Sequence, residues 1–486
     1  MKKLKFSILS LIAIASIYSC TTDFEDINTD PNRLESISPA SLLNPILFGL
    51  TNHNSFSAWH HRTAHFMQGI VPFPSNDALG YHRYYVTDAI GQTMWDNHYR
   101  WLKNIDEMEK TSIAFEDTNY QAIALTLKAW SFANLTDVFG DIPFEEALKG
   151  DEGIVKPKFQ RQEVIYKKVL EYLEQANALY DNTKPLIYAP DLLFGGKPKN
   201  SETVNAWQKL TNSLHLRMLL RLSDVMPSES ISKINTILND PTTYPIFTSS
   251  ADDAILINSG ISPNTTPWPR IQDYAADKKL STFFVDQLLE WNDPRLPFWA
   301  TKAKDKDGKE IGYKGIPSGY SSNEGAINYT PSAPSNNTAV APMKNIIMTY
   351  AEVEFIKAEL AFKGLITGDA ETSYKNGVKA AMAIWAINIP SDYFTNEKVA
   401  FNNTLERIML QKYFALYFTD NQQWLEFRRT DFPKLPLEPN LYNDGKMPVR
   451  YPFPQDVKRQ NHENYMEAVG IMGADDVNTR VWWDIK

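Results

Sequence analysis

Apolar side chains recur at helical spacing through most of the chain. In residues 120–134, Tyr120, Ile123, Leu127 and Trp130 fall on one face of a helix. The Gly-Asp-Ile-Pro sequence that follows ends this element, because proline cannot continue a helix. The same period predicts further helices at residues 39–50, 162–180, 201–221, 280–291, 350–364, 369–385 and 404–417.

Paired helices joined by short turns predict an all-α fold made of tetratricopeptide-like helical hairpins, although no strict 34-residue repeat is visible. Residues 240–341 interrupt this pattern with ten prolines and many Asn and Ser residues. A long aromatic-rich insertion on a helical scaffold is usually functional. We therefore expect a single domain over residues 39–486, with a loop-rich, irregular ligand-binding region at 240–341.

Residues 1–19 have the layout of an export signal, with three lysines, an apolar run and small Ser19 just before Cys20. The apolar run is too short to span a membrane comfortably. Cys20 is the only cysteine, so it cannot form a disulfide within the chain. We expect a signal peptide at 1–19, lipid attachment at Cys20 and a tether over 20–38. The alternative is a plain secretory signal with an incidental cysteine.

The amino-acid composition is that of a globular protein, and the net charge argues against some kinds of binding partner. The chain has 486 residues, 43% of them hydrophobic, and a formal net charge of −9. An acidic chain without a basic run argues against nucleic-acid binding. No spanning apolar stretch follows the leader, so a lipid would anchor an otherwise soluble body. The many aromatic residues (12 Trp, 23 Tyr and 25 Phe) favour surfaces that stack on ligands.

The common catalytic signatures are missing from the sequence: there is no phosphate loop, dinucleotide fingerprint or nucleophile elbow. His60, His61 and His65 cluster, and His61 and His65 are one helical turn apart, which could hold a metal ion, but no third ligand or general base is identifiable nearby in the sequence. Hydrogen-bonded histidines are commoner than metal ligands, so we expect neither metal nor cofactor. Glu354 and Glu359 are expected on a solvated or salt-bridged helix surface. Two placed carboxylates would suffice for a glycosidase, and that alternative stays open.

Several longer stretches occur in a characteristic order. They are INTDPN (27–32), LKAWSFANLTDVFGDIPFEEAL (127–148), WQKLTNSLHLRMLLRLSD (207–224), NDPRLPFWA (292–300), MTYAEVEFIKAELAFKG (348–364), RIMLQKYFALYFTDNQQWLEFRRTDFPKL (407–435), PVRYPFPQDVKRQNHENYMEAV (448–469) and RVWWD (480–484). With the lipobox cysteine, this series resembles the SusD/RagB family of outer-membrane nutrient-binding lipoproteins. The resemblance extends over nearly the whole chain.

The resemblance implies four tetratricopeptide-like hairpins, a loop-built ligand face and a lipid-anchored position on the outer membrane, facing the cell exterior. It also implies a lid role on a TonB-dependent, SusC-like transporter barrel. Family members capture glycans, and some capture peptides, without cleaving them. We therefore expect a non-enzymatic protein that captures oligosaccharides. Peptide capture is one alternative, and a surface glycoside hydrolase is another.

The family's ligand residues are not carried by a shared motif, so candidates come from this chain alone. We place the ligand face on residues 240–341, helped by the loop at 72–85. The aromatic candidates are Trp268, Tyr81, Tyr84 and Tyr320, and the polar candidates are Asn264, Asp77 and Arg270. Flanking prolines would present the Trp268 indole rigidly, although the same ring could instead pack its loop onto the scaffold. Trp291 and Trp299 flank a motif shared with the family and are assigned to structure.

Overall fold

Helices are the main elements of the structure, which is a computed structural model. It describes residues 37–73, 80–187, 190–196, 200–321 and 327–485. Pro39–Lys486 forms one compact unit; of the other unit, Met1–Ser38, only Ile37 and Ser38 are described. The predicted signal peptide, the Cys20 lipid site and most of the predicted tether therefore lie outside the described residues.

The α-helices and one π-helix follow each other along the chain, and the longest connections between them lie between residues 240 and 349. They are α1 (Pro39–His53), the π-helix (Asn54–Thr63), α2 (Ala64–Phe66), α3 (Gln92–Ala114), α4 (Thr118–Phe139), α5 (Gln162–Leu179), α6 (Asn200–Leu222), α7 (Pro227–Asn239), α8 (Thr282–Glu290), α9 (Leu296–Trp299), α10 (Tyr350–Phe362), α11 (Ala370–Ala383), α12 (Leu405–Ala415), α13 (Gln422–Thr430), α14 (Gln455–Gln460) and α15 (His462–Met472). Helices α3, α4, α5 and α6 pack in succession, as do α10, α11 and α12. This arrangement confirms the predicted all-α fold of helical hairpins.

Helix α4 lies at the centre of the first group of helices. Asp117 caps it by accepting a hydrogen bond from the Tyr120 amide, 3.2 Å away. Its neighbours α3 and α5 cover it so fully that Lys128 and Asp137 are buried along with the apolar positions. The helical face predicted from Ile123 and its partners is therefore part of an element that is buried on nearly all sides.

The strands form antiparallel pairs that hold the irregular segments against the helices. The pairs are β1 (Ile70–Pro72) with β5 (Lys278–Leu280), β2 (Ile142–Pro143) with β3 (Phe159–Gln160), β4 (Ala254–Asn258) with β8 (Met343–Met348), and β6 (Lys304–Asp305) with β7 (Tyr329–Thr330). The β1–β5 pair sets Ile70 opposite Leu280, and the β4–β8 pair sets Asn258 opposite Met343. In residues 240–321 and 327–341, turns and irregular segments thus surround the short helices α8 and α9, and the β1–β5 and β4–β8 pairs connect this region to the rest of the protein.

Ion pairs buried in the core fix the shared sequence motifs. Asp293 and Arg295 are both fully buried and pair at 2.6 Å, and Arg295 also donates to Gln411 at 3.0 Å. Buried Arg429 likewise bridges Glu359 and Glu426. Charged side chains tolerate burial when they are paired and hydrogen-bonded in this way. These motifs therefore serve the scaffold.

The segment Arg480–Asp484 closes the core against α4. Trp483 donates its indole hydrogen to Asp137, with Nε1 and Oδ1 2.8 Å apart. Asp484 pairs with buried Arg428, and Asp137 also forms an ion pair with Arg221. A charge cluster deep in the protein is thus completed by residues far apart along the chain.

Candidate ligand-binding surface

The Trp268 ring is buried, with only 3% of the residue exposed. It meets the rings of Phe56, His60 and Tyr274 at centroid distances of 5.5, 5.1 and 5.0 Å, each edge to face. Within the described residues its Nε1 has no hydrogen-bond acceptor. The indole therefore packs its loop onto the scaffold rather than presenting an open face, which corrects the expectation of an exposed platform at this position.

Tyr81 and Tyr84 are also buried, at 8% and 4% exposure, so neither ring is the exposed platform that the sequence suggested. The Tyr84 hydroxyl accepts a hydrogen bond from Gln68 Nε2 at 3.0 Å, and the same amide donates to the Pro436 carbonyl. Burial raises the pKa of Tyr84 to about 12, so the phenol stays protonated. These two rings fasten the segment after residue 80 onto the core.

The two described polar candidates, Asn264 and Arg270, make hydrogen bonds or ion pairs close to their own positions in the chain. Asn264 donates to the Ile257 carbonyl at 2.8 Å and so closes a turn next to β4. Arg270 is exposed and pairs with Asp273 at 2.7 Å, three residues away. Asp77 lies outside the described residues. The ligand-binding role proposed for this set stays a prediction.

Tyr320 is half-buried and belongs to a place where three turns meet. Its ring lies 5.7 Å from that of Phe73, and its carbonyl accepts a hydrogen bond from His82 Nε2 at 3.1 Å. Next to it, Gly319 touches another turn so closely that a Cβ there would lie 2.0 Å from the Pro439 carbonyl oxygen. Only glycine permits this approach. The turns around residues 80–85, 319–320 and 436–442 therefore pack closely against one another.

Two exposed tyrosines stand at this junction. Tyr85 and Tyr442 are 45% and 47% exposed, and their ring centroids lie 5.2 Å apart at 52°. The Arg83 guanidinium lies 4.7 Å from the centre of the Tyr442 ring, and the Tyr442 amide donates to the Arg83 carbonyl at 2.7 Å. We call Phe73, Tyr320, Tyr85 and Tyr442 the aromatic surface.

Sequence reasoning placed Tyr85 inside a candidate loop but did not select it, and it missed Tyr442. Their pairing could not be read from the sequence, because hundreds of positions separate them. A local signal was nevertheless present, since Tyr442 precedes Asn443-Asp444-Gly445, which is a turn sequence. All three of these turn residues have positive φ in the structure. An aromatic residue beside a turn, outside any helical period, is a reasonable ligand candidate.

The histidines near the buried Trp268 are structural. His60 donates from Nε2 to the Tyr274 carbonyl at 2.8 Å, and His61 donates from Nδ1 to the Phe56 carbonyl at 2.7 Å. Burial lowers the pKa of His61 to about 4, so the ring is neutral at pH 7. Among the described residues no three histidine, cysteine or carboxylate side chains converge in a way that suits a metal ion.

The aromatic surface can bind a ligand through flat rings and hydrogen bonds. The exposed faces of Tyr85 and Tyr442 suit the C–H-rich faces of sugar rings or the apolar parts of other ligands. Their hydroxyls supply polar groups at the rim, whereas Arg83 is buried behind the Tyr442 ring. The contact with Arg83 also restricts Tyr442, so less side-chain entropy is lost when a ligand binds. Exposed rings held on converging turns of a helical scaffold are an arrangement that can bind a ligand.

Comparison with known proteins identifies the family. The family model SusD-like_2, described as "Starch-binding associating with outer membrane", matches residues 31–454. The chain therefore belongs to this SusD-like family of outer-membrane-associated, nutrient-binding proteins. None of the helices in the described part of the chain combines the length and apolar character needed to cross a bilayer.

Solved structures share the fold at low sequence identity. A chitin-binding protein aligns with a TM-score of 0.77 and 24% identity, covering 92% of this chain and all of that one. A Bacteroidetes AC2a SusD-like protein aligns with a TM-score of 0.76 and 23% identity over 93% of this chain and all of that one. A SusD homolog from Bacteroides fragilis gives 0.74 and 23%, with coverage of 93% and 100%. A search of curated proteins found no match.

Proposed function

We propose that this protein is a lipid-anchored surface protein that captures oligosaccharides and delivers them to a TonB-dependent, SusC-like transporter. The exposed Tyr85–Tyr442 pair, with Arg83 against one ring, carries the proposal. Exposed rings held at a fixed angle on tethered turns suit stacking on sugar faces. The family description names starch, and one structural neighbour binds chitin, which favours a glycan over a peptide.

Replacing Tyr442 by Ala tests the site. An aromatic residue at the centre of a binding site contributes about 2 kcal/mol, which corresponds to about 30-fold in Kd. We expect Tyr442→Ala, and separately Tyr85→Ala, to weaken oligosaccharide binding by about that factor with an unchanged melting temperature. Phe115→Ala is the matched control, because this ring is 53% exposed at the end of α3, away from the aromatic surface.

Glycan and peptide arrays, followed by calorimetry on the best ligand, provide the measurement. Wild-type affinity in both tyrosine variants would refute the assignment of the site. Binding of peptides but of no glycan would move the proposal to the peptide alternative.

We further propose that bound glycan is released uncleaved. The four residues of the aromatic surface offer stacking rings and hydroxyls, whereas glycoside hydrolysis needs two carboxyl groups on either side of the bond. Incubation with the best-binding oligosaccharide should leave the number of reducing ends constant. Turnover that a single carboxylate substitution abolishes would contradict this.

The proposed delivery to a transporter rests on the advantage of holding the binding protein close to the pore. A binder held over a pore presents its ligand at an effective concentration that a free binder does not reach. We expect gentle detergent extraction and pull-down to recover a much larger barrel protein with this chain. Recovery of this chain alone, under conditions that preserve other membrane complexes, would count against the partnership.

A further inference from the structure

A groove separate from the aromatic surface lies between α3, α14 and the turn before β3. Its volume is about 360 Å³, within the range of about 300 to 1,000 Å³ that is usual for small-ligand pockets. Trp95, Tyr99 and Val457 line it together with side chains of mixed polarity, and it shares no residue with the aromatic surface.

Aromatic rings that are already fixed contribute to the lining. Trp95 and Tyr99 lie 4.9 Å apart at 51°, and Trp95 also packs edge-on to Phe139 at 5.1 Å. The Tyr99 hydroxyl donates to the Pro143 carbonyl at 2.7 Å. Because core contacts hold both rings, a ligand would not have to order them.

Polar side chains of both hydrogen-bonding types surround these rings. Gln92 Nε2 donates to both carboxylate oxygens of Asp96, at 3.0 and 2.9 Å. Asp456 pairs with Arg459 at 2.7 Å. Asn461 donates to the Pro157 carbonyl at 2.7 Å, which secures the wall opposite α3. The groove therefore has a preformed shape and held acceptor groups.

We propose that this groove is a second binding site, for an uncharged saccharide unit. Carboxylate and amide groups beside aromatic rings match a ligand with many hydroxyls and apolar ring faces. The two carboxylates, Asp96 and Asp456, disfavour an anion. Each of them already has a partner, which reduces the attraction for a cation and leaves lone pairs for hydroxyl donors. The choice of a saccharide as the ligand rests on the proposed function, whereas the location of the second site in this groove does not.

Filling the groove tests this inference without touching the core. Ala147 is a partly exposed lining residue, so Ala147→Trp should occupy the space. Ala383→Trp is the matched control, because Ala383 is exposed at the end of α11. A second variant, Asp96→Ala with Gln460→Ala, removes polar groups from exposed positions and leaves the volume free.

The probes are maltohexaose, cellohexaose and chitohexaose, and calorimetry measures the stoichiometry and Kd. We expect two binding sites in the wild type and one in the double variant Tyr85→Ala/Tyr442→Ala. The triple variant that also carries Ala147→Trp should have none. Asp96→Ala/Gln460→Ala should weaken the remaining site at least about tenfold, as for loss of a central polar contact. The Ala383→Trp control should keep both sites.

Three results would overturn the proposal: binding that Ala147→Trp leaves unchanged, no residual binding in the tyrosine double variant, or no binding of any of the three probes to the wild type. Failure of the proposed function has a different signature. In that case the tyrosine changes would have no effect, while Ala147→Trp would still remove a site.

Discussion

Trp268→Ala should destabilise the protein and leave ligand affinity unchanged. The substitution removes a ring that is 3% exposed and that meets Phe56, His60 and Tyr274 edge to face. The aromatic neighbours belong to the π-helix and to the irregular region, so the loss would loosen the contact between a loop and the scaffold. The aromatic surface shares no residue with this contact.

The expected loss of stability follows from the buried area of the Trp268 side chain. A ring of about 250 Å² at about 25 cal/mol/Å² gives about 6 kcal/mol as an upper bound. Substitutions of buried Trp by Ala cost about 3 to 5 kcal/mol. With an unfolding entropy of about 0.9 kcal/mol/K for a unit of this size, the melting temperature should fall by about 3 to 5 °C.

Trp268→Phe separates packing from hydrogen bonding. Because the indole Nε1 has no acceptor among the described residues, Phe loses no hydrogen bond there and keeps most of the apolar contact. Its cost should be about 1 to 2 kcal/mol. Calorimetric melting of the two variants, with glycan titrations on each, measures both effects. An unchanged melting temperature with weakened binding by Trp268→Ala would refute the packing assignment and restore the ring as a ligand platform.

Other predictions concern charge and anchoring. Burial lowers the pKa of His61 to about 4 and of His98 to about 3. In the unfolded chain the pKa of these histidines is near 6.5, so the unfolded chain binds protons at a higher pH than the folded protein does. Each histidine should therefore reduce the free energy of unfolding by about 1 kcal/mol between pH 6.5 and pH 5.5. A melting temperature that does not change over that range would contradict this. Arg295→Met leaves the buried Asp293 carboxylate without its partner and should cost about 3 to 5 kcal/mol of stability. Arg270→Met breaks an exposed pair and should leave stability nearly unchanged. Equal costs in denaturant titrations would disprove this contrast. Cys20→Ala should release the protein from the membrane fraction, and retention with continued lipid labelling would count against lipidation at that residue.

The helices could be predicted because their information is local. The period around Ile123 identified α4, and the one after Tyr350 identified α10, within a few residues of their ends. The burial of individual side chains could not be predicted in the same way. Glu354 and Glu359 were expected on a solvated or salt-bridged surface, and both are ion-paired but buried. Their burial depends on what packs over α10, and that information lies elsewhere in the chain.

The candidate site was harder to predict because it depends on contacts between distant turns. Flanking prolines indicated a rigid loop at Trp268, but rigidity does not decide which way the ring points. The partners of Tyr85 and Tyr320 come from other turns, and the pairing with Tyr442 exists only after those turns meet. Sequence reasoning could therefore propose loop aromatics as a class, whereas selecting the exposed ones required coordinates.

The contact between Trp483 and Asp137 has a consequence for the order of folding. The two residues are 346 positions apart, so joining them costs about 5 kcal/mol of chain entropy unless intervening structure has already formed. During synthesis, α4 is made long before its indole partner. Until Asp484 arrives, Arg428 lacks the carboxylate that pairs with it in the native core. The native charge cluster is therefore completed only after Arg480–Asp484 has been made, because this segment follows Asp137, Arg221 and Arg428 in the chain.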